Sequence, residues 1–151
     1  MRGISRLLGL SRLEIGVLAW ALWLLPIAAI AARVARLPVA QQFVSRLIPR
    51  RALPSAVNPA EYAATVGAMV SAAARRGPFR VACLAQSMVA FALLDARAIS
   101  ATLNVGVKQD QSGFAAHAWV RVGDTIIIGD QQFSEQFETI TALDNQSNAV
   151  V

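Results

Sequence analysis

The sequence predicts an α+β protein in which N-terminal helices pack on a core of one central helix and a small antiparallel sheet. Three observations carry that prediction. Apolar residues recur at steps of three and four over the first two thirds of the chain, which is helix period. From Phe114 the period falls to two, with Phe114, Ala116, Ala118, Val120 and Val122 alternating along a strand. Gly123-Asp124 then separates that run from the β-branched Thr125–Ile128, and a glycine at such a two-residue loop supplies the positive φ that a tight hairpin needs.

In chain order, the first helical segment is unusual. Ile15–Ala32 (IGVLAWALWLLPIAAIAA) has no charged residue, and three readings fit it. Its length reaches the lower threshold for a membrane span. Arg2, Arg6 and Arg12 ahead of it, with Ala29-Ile30-Ala31 inside it, also fit a cleaved signal peptide. The third reading is a helix packed on a core, and it is favoured. Glu14 and Arg33 bound the segment tightly, and Pro26 divides it. Leu13, Val17, Trp20, Leu24, Ile27, Ile30 (or Ala31), Val34 and Leu37 form one bulky stripe, opposite a small side of Ala21, Ala28, Ala32 and Arg36.

Pro38–Ile48 reads as a short helix with Phe43 and Leu47 on its inner side, followed by a loop over Pro49–Pro54. Asn58, Pro59 and Glu61 then spell a helix start: a cap, a proline at the first position, and an acid that can reach back. That helix runs to Arg75-Arg76 and is stopped by Gly77-Pro78. The next begins near Phe79–Val81 and ends near Arg97, with Leu84, Met88, Phe91 and Leu94 (or Asp95) inward. A strand over Ala101–Lys108 and a loop over Gln109–Gly113 lead to the hairpin, and Asp144–Val151 reads as frayed. Residues 1–57 are thus a hydrophobic, basic helical part and 58–151 the core, together one structural unit.

Composition narrows the functional classes. One cysteine permits no internal disulfide, and one histidine leaves no metal-ligand spacing, so neither metal nor cofactor is expected. A reducing, cytoplasmic location fits, with membrane association left open by Ile15–Ala32. The net charge of +5 is uneven: residues 1–51 carry +7 and residues 52–151 carry −2. That basic part lacks interleaved aromatics or a nucleic-acid motif, so no nucleic-acid partner is expected.

The chemistry-bearing residues lie in the second half. With Gly123-Asp124 as the loop, Val122 faces Thr125, and counting outward sets His117 opposite Asp130. Opposed residues have Cβ atoms about 4.5–5.5 Å apart, so a carboxylate there reaches the imidazole. His117, Trp119, Ile128 and Asp130 share one face on this register. Cys83 falls in the first turn of its helix, where the dipole and unpaired N–H groups stabilise a thiolate. A histidine held by an aspartate, with a cysteine available, is the outline of a nucleophilic triad. Each residue also has a plainer reading: a buried core cysteine, a structural histidine, and an aspartate that caps the next helix.

CLAQSMVAFALL (Cys83–Leu94), NVGV (Asn104–Val107), FAAHAWVRV (Phe114–Val122) and IIGD (Ile127–Asp130) together resemble the leader peptidases of lasso-peptide biosynthesis. These are transglutaminase-like, papain-like cysteine proteases of the microcin-processing type, and the resemblance spans about fifty residues. It implies Cys83 as nucleophile, His117 as general base and acid, and Asp130 as the residue that orients His117. It also implies a precursor peptide as substrate, cut at the leader–core junction. Gln86, one turn beyond Cys83, is a candidate oxyanion donor, although an exposed glutamine is the commoner case. Trp119 is expected to shield the His–Asp pair and pack the core rather than bind substrate. The residues before Cys83 do not read as a leader-recognition domain. Recognition is therefore expected from a separate protein, with the lasso cyclase as a further partner. An amide acyltransferase using the same triad and a membrane-associated scaffold without activity are the competing readings.

Overall fold

The computed structural model describes residues 9–76 and 82–146. Helix α1 (Arg12–Val34) opens on a reciprocal cap that satisfies two donors at once. The Glu14 N–H donates to Ser11 Oγ at 3.2 Å, and the Ser11 N–H donates to the Glu14 carboxylate at 2.7 Å. Pro26 lies within α1 without ending it. Helix α2 (Leu37–Arg46) has a proline in its first turn. Helix α3 (Pro59–Arg76) starts as its sequence predicts: Asn58 Oδ1 accepts the Ala60 N–H at 2.8 Å, and the Asn58 carbonyl accepts the Tyr62 N–H at 3.0 Å. The expected stop at Gly77-Pro78 and helix start at Phe79–Val81 lie outside the described residues.

Helix α4 (Cys83–Asp95) is the centre of the molecule. Ala85 and every residue from Ser87 to Leu94 are buried, so the helix is enclosed on all sides instead of along the single stripe expected. Helices α1, α2 and α3 pack on it from one side and the sheet from the other. One hydrophobic cluster runs from Val17 on α1 to Ile128 in the sheet.

Two inward faces differ from the sequence prediction. On α1 the buried residues are Val17, Ala21, Leu24, Leu25, Ala28 and Ala31, while Trp23, Ile30 and Val34 are exposed. The expected outer side, Ala21 and Ala28, is therefore the inner one. Interaxial distance is set by the side chains at the contact, and alanines let α1 lie close against α3 and α4. On α2, Ala40, Gln41 and Val44 are buried and Phe43 is exposed. Gln41 is tolerated inside because its amide donates to the Met88 carbonyl at 3.1 Å and to Ser45 Oγ at 3.2 Å.

The sheet contains β1 (Thr102–Asp110), β2 (Gly113–Val122), β3 (Thr125–Ile128) and β4 (Glu138–Asp144), antiparallel throughout, in the order β3-β2-β1-β4. Helix α5 (Gln131–Ser134) joins β3 to β4. The Gly123-Asp124 turn forms as predicted, with Gly123 at φ 57° and Val122 opposite Thr125. The loop expected over Gln109–Gly113 is much tighter, since Asp110 already pairs with Gly113. Strand β4 was not predicted; it pairs with the outer edge of β1.

The register between β2 and β3 corrects the count made from the turn. Arg121 faces Ile126, but Val120 faces Ile128, so an irregularity lies between Val120 and Arg121. An extra residue in one strand moves everything beyond it to the other face. Ile128 accordingly joins Val120 in the helix-side core and does not share the His117 face. Asp130 lies beyond the end of β3, and the ladder partner of His117 is Gly106 on β1.

Helix α3 meets β3 at a glycine. A Cβ at Gly67 would collide with the Ile127 carbonyl oxygen and stand 2.8 Å from Ile127 Cγ2. Alanine in a helix is ordinarily worth about 1 kcal/mol over glycine, whereas forced overpacking costs ~1–3 kcal/mol or more, so the clash decides the sign. Gly67→Ala is expected to lower the Tm by about 2–8 °C in a thermal melt. An unchanged or raised Tm would show that α3 and β3 are not in tight contact.

Candidate active site

Cys83 is the first residue of α4, and its side chain is half-buried. The preceding residue, Ala82, has an extended backbone (φ −60°, ψ 151°) and supplies no side-chain cap. The first turn is closed by the Gln86 N–H donating to the Ala82 carbonyl at 3.2 Å. An α-helix leaves its first N–H groups without intrahelical acceptors, and here no capping side chain takes them. These donors and the positive end of the dipole favour negative charge beside Cys83, on a sulfur or an oxyanion. Gln86, one turn on, is half-buried rather than exposed.

His117 lies on β2 in a slot between two aromatic rings. Trp119, next but one on the same strand, stacks on it with ring centroids 5.9 Å apart and planes inclined by 19°. Phe137, just before β4, lies 5.4 Å away at 43°. Gly106, opposite His117 on β1, makes room for this cluster: a Cβ there would stand 2.9 Å from Trp119 Cη2 and 3.0 Å from Phe137 Cβ. Trp119 is only 6% exposed, which suits a packing and shielding role.

Asp130 reaches this slot by a different route from the predicted cross-strand pairing. At Gly129 the chain turns with φ 104°, a conformation that favours glycine. A Cβ at Gly129 would stand 2.7 Å from Trp119 Cβ and 3.4 Å from His117 Nε2, so the backbone passes directly beside the ring. The next residue, Asp130, begins α5. Its Oδ1 accepts the Gln132 N–H at 2.9 Å, and its carbonyl accepts the Ser134 N–H at 2.8 Å and the Ser134 hydroxyl at 2.7 Å. The capping role is therefore real, and it fixes the carboxylate next to the imidazole. Burial lowers the His117 pKa below 6.5; the Asp130 charge acts in the opposite direction without cancelling it.

The structure thus brings His117, Trp119 and Asp130 together, with Phe137, Gly106 and Gly129 as members that the sequence reading did not single out. Cys83 comes to the same half of the molecule through the packing of α4 on β2. No hydrogen bond between its thiol and the imidazole is present among the described residues. Nor do the described residues contain a group of three or more His, Cys, Asp and Glu side chains able to hold a metal ion.

A uncharged helix start bearing a thiol, packed on a strand whose histidine is shadowed by a carboxylate, is the layout of a cysteine acyl-transfer fold. Residues 18–142 match the transglutaminase-like superfamily, and the chain belongs to it. No curated protein and no solved structure matches the chain.

His117 is the sole histidine, so its titration can be followed without assignment ambiguity. Its imidazole resonances are expected to titrate with a midpoint below 6.5, because burial disfavours the cation more than Asp130 favours it. In Asp130→Asn the anion is gone, the cation loses its support, and the midpoint moves lower still. A wild-type midpoint at or above 6.5, or an upward shift in the variant, would contradict this balance.

Proposed function

We propose that the protein is a cysteine peptidase that removes the leader from a ribosomally made lasso-peptide precursor. The observation that carries the catalytic part is the pairing of unique residues on a transglutaminase-like domain. The sole cysteine opens the central helix, and the sole histidine sits beside Asp130 on the strand against which that helix packs. The substrate rests on the likeness of Cys83–Leu94, Asn104–Val107, Phe114–Val122 and Ile127–Asp130 to lasso leader peptidases.

In this reading Cys83 Sγ attacks the scissile carbonyl and its proton passes to His117. The tetrahedral oxyanion is held by N–H groups at the start of α4, with Gln86 as a second donor. His117 then protonates the departing amine, leaving a thioester on Cys83. Water activated by His117 hydrolyses the thioester and restores the thiol. A low histidine pKa suits this sequence, since the imidazole is neutral and ready to accept a proton near pH 7. Asp130 keeps the ring oriented and supports the cation once it forms. The leader is presented by a separate recognition protein, the released core passes to the lasso cyclase, and the reaction takes place in the cytoplasm.

An amine in place of water would make the same thioester an acyl donor, and the superfamily accommodates that outcome. Mass spectrometry separates the two: incubation with precursor and recognition protein should release leader and core whose masses sum to the precursor plus one water. A product carrying an added amine would assign acyl transfer instead. Cys83→Ala and His117→Ala are each expected to cut processing about 10⁴-fold or more, with Asp130→Ala roughly 10²-fold less severe, the pattern seen when triad members are removed singly. Retained processing in a folded Cys83→Ala protein would rule the mechanism out.

A further inference from the structure

We propose that the outward side of α1 is a docking surface for an anionic lipid bilayer, which it enters side-on without spanning. This does not depend on the peptidase reading. At 100° per residue, Ile15, Leu22, Trp23, Pro26 and Ile30 share one side of the helix. All five are exposed, Trp23 by 54% and Ile30 by 64%. The buried set centred on Leu24 and Ala28 lies on the opposite side. Exposed apolar residues scattered singly need no explanation, but a stripe along a whole helix does.

The ends of the stripe indicate what covers it. Arg12 precedes it and Arg33 follows it on the same side, both exposed, with no acid between them. A second copy of α1 is a poor occupant: paired parallel, each arginine meets its own counterpart, and paired antiparallel, Arg12 meets Arg33. An apolar layer edged by phosphates satisfies both parts, because the stripe enters the acyl region while the arginines reach up to the headgroups. Residues 1–51 add to this with a net charge of +7. Trp20 and Trp23, edge-to-face at 6.0 Å, border an open apolar hollow of about 400 Å³ with Gly16 and Ala19, a shape that accepts a lipid chain. Tryptophan favours this depth of the bilayer.

Helix α1 meets the length and composition required to cross a membrane, yet a third of that window is buried in the protein. Spanning would pull Val17, Leu24 and Leu25 out of the core they share with α3 and α4. Lying in the interface leaves that core intact.

The test is vesicle flotation of the full-length protein with phosphatidylcholine alone and with phosphatidylcholine containing one third phosphatidylglycerol. The wild type should float with the anionic vesicles and far less with the neutral ones. Arg12→Gln and Arg33→Gln should each weaken partitioning about fivefold, and added salt should do the same. Trp23→Ser with Ile30→Ser should weaken it roughly tenfold or more. The thermal transition should stay unchanged in all variants, since these side chains point away from the core. Absence of flotation on anionic vesicles, or equal flotation of the Ser variant, overturns the proposal. So does a dimer that the Ser variant dissociates, which assigns the stripe to a second copy. Retention in alkaline carbonate overturns it in favour of a spanning helix.

Discussion

An imidazole removed from water resists protonation, and the arrangement around His117 follows from that constraint. Trp119 and Phe137 sandwich the ring and strip its hydration, which holds it neutral. A base so held must still carry a proton transiently if it is to shuttle one between sulfur, amine and water. Asp130 supplies the charge that makes the transient cation tolerable. Its own position cannot be left to a mobile side chain, and the α5 cap fixes it: the carboxylate takes the Gln132 N–H while the carbonyl anchors Ser134. The short helix α5 is therefore less a structural element than a clamp for one carboxylate.

Glycines set how closely these parts approach. Gly106 leaves the space into which Trp119 and Phe137 close, and Gly129 lets the main chain brush past the ring before Asp130. Gly67 admits β3 against α3, which in turn places the segment running from Ile127 to Asp130. Three positions on three elements thus act on one site, although none of them carries chemistry. Their shared property is that a single added carbon would meet a neighbour at 3 Å or less.

Much of this was legible in the sequence, and the failures have identifiable causes. The hairpin turn was readable because Gly123 must take a positive φ, and the start of α3 because Asn58-Pro59 is a strong local signal. The Ser11–Glu14 box at the start of α1 was equally readable, being the same kind of S-x-x-E spacing, but the charge-free run beside it drew the attention. The β2–β3 register was not readable. The irregularity near Val120 has no turn residue to announce it, so counting from Gly123 placed Asp130 correctly near His117 but by the wrong route. The inner face of α1 was misread because bulk was equated with burial, when close helix packing selected Ala21 and Ala28. Phe137 and β4 escaped because their contacts are long-range: Phe137 answers to His117 twenty residues earlier, and β4 to β1.

The same packing decides between the readings left open for the apolar N-terminal segment. Cleavage after Ala31 would remove Val17, Leu24 and Leu25 from the core together with Ala21 and Ala28. At about 1.5–3 kcal/mol for each large side chain fully buried, the three alone represent roughly 5–9 kcal/mol, an upper bound because the unfolded chain also buries some surface. Natural domains are stable by only about 5–15 kcal/mol in total. Losing α1 would consequently leave α4 uncovered along the side where α1 lies, and α4 is the helix whose first residue is Cys83. A segment with that role belongs to the folded domain, in keeping with a superfamily match that begins at residue 18, within α1 itself. Its hydrophobicity has two separate sources: an inner face that the core requires, and an outer face that the core does not use.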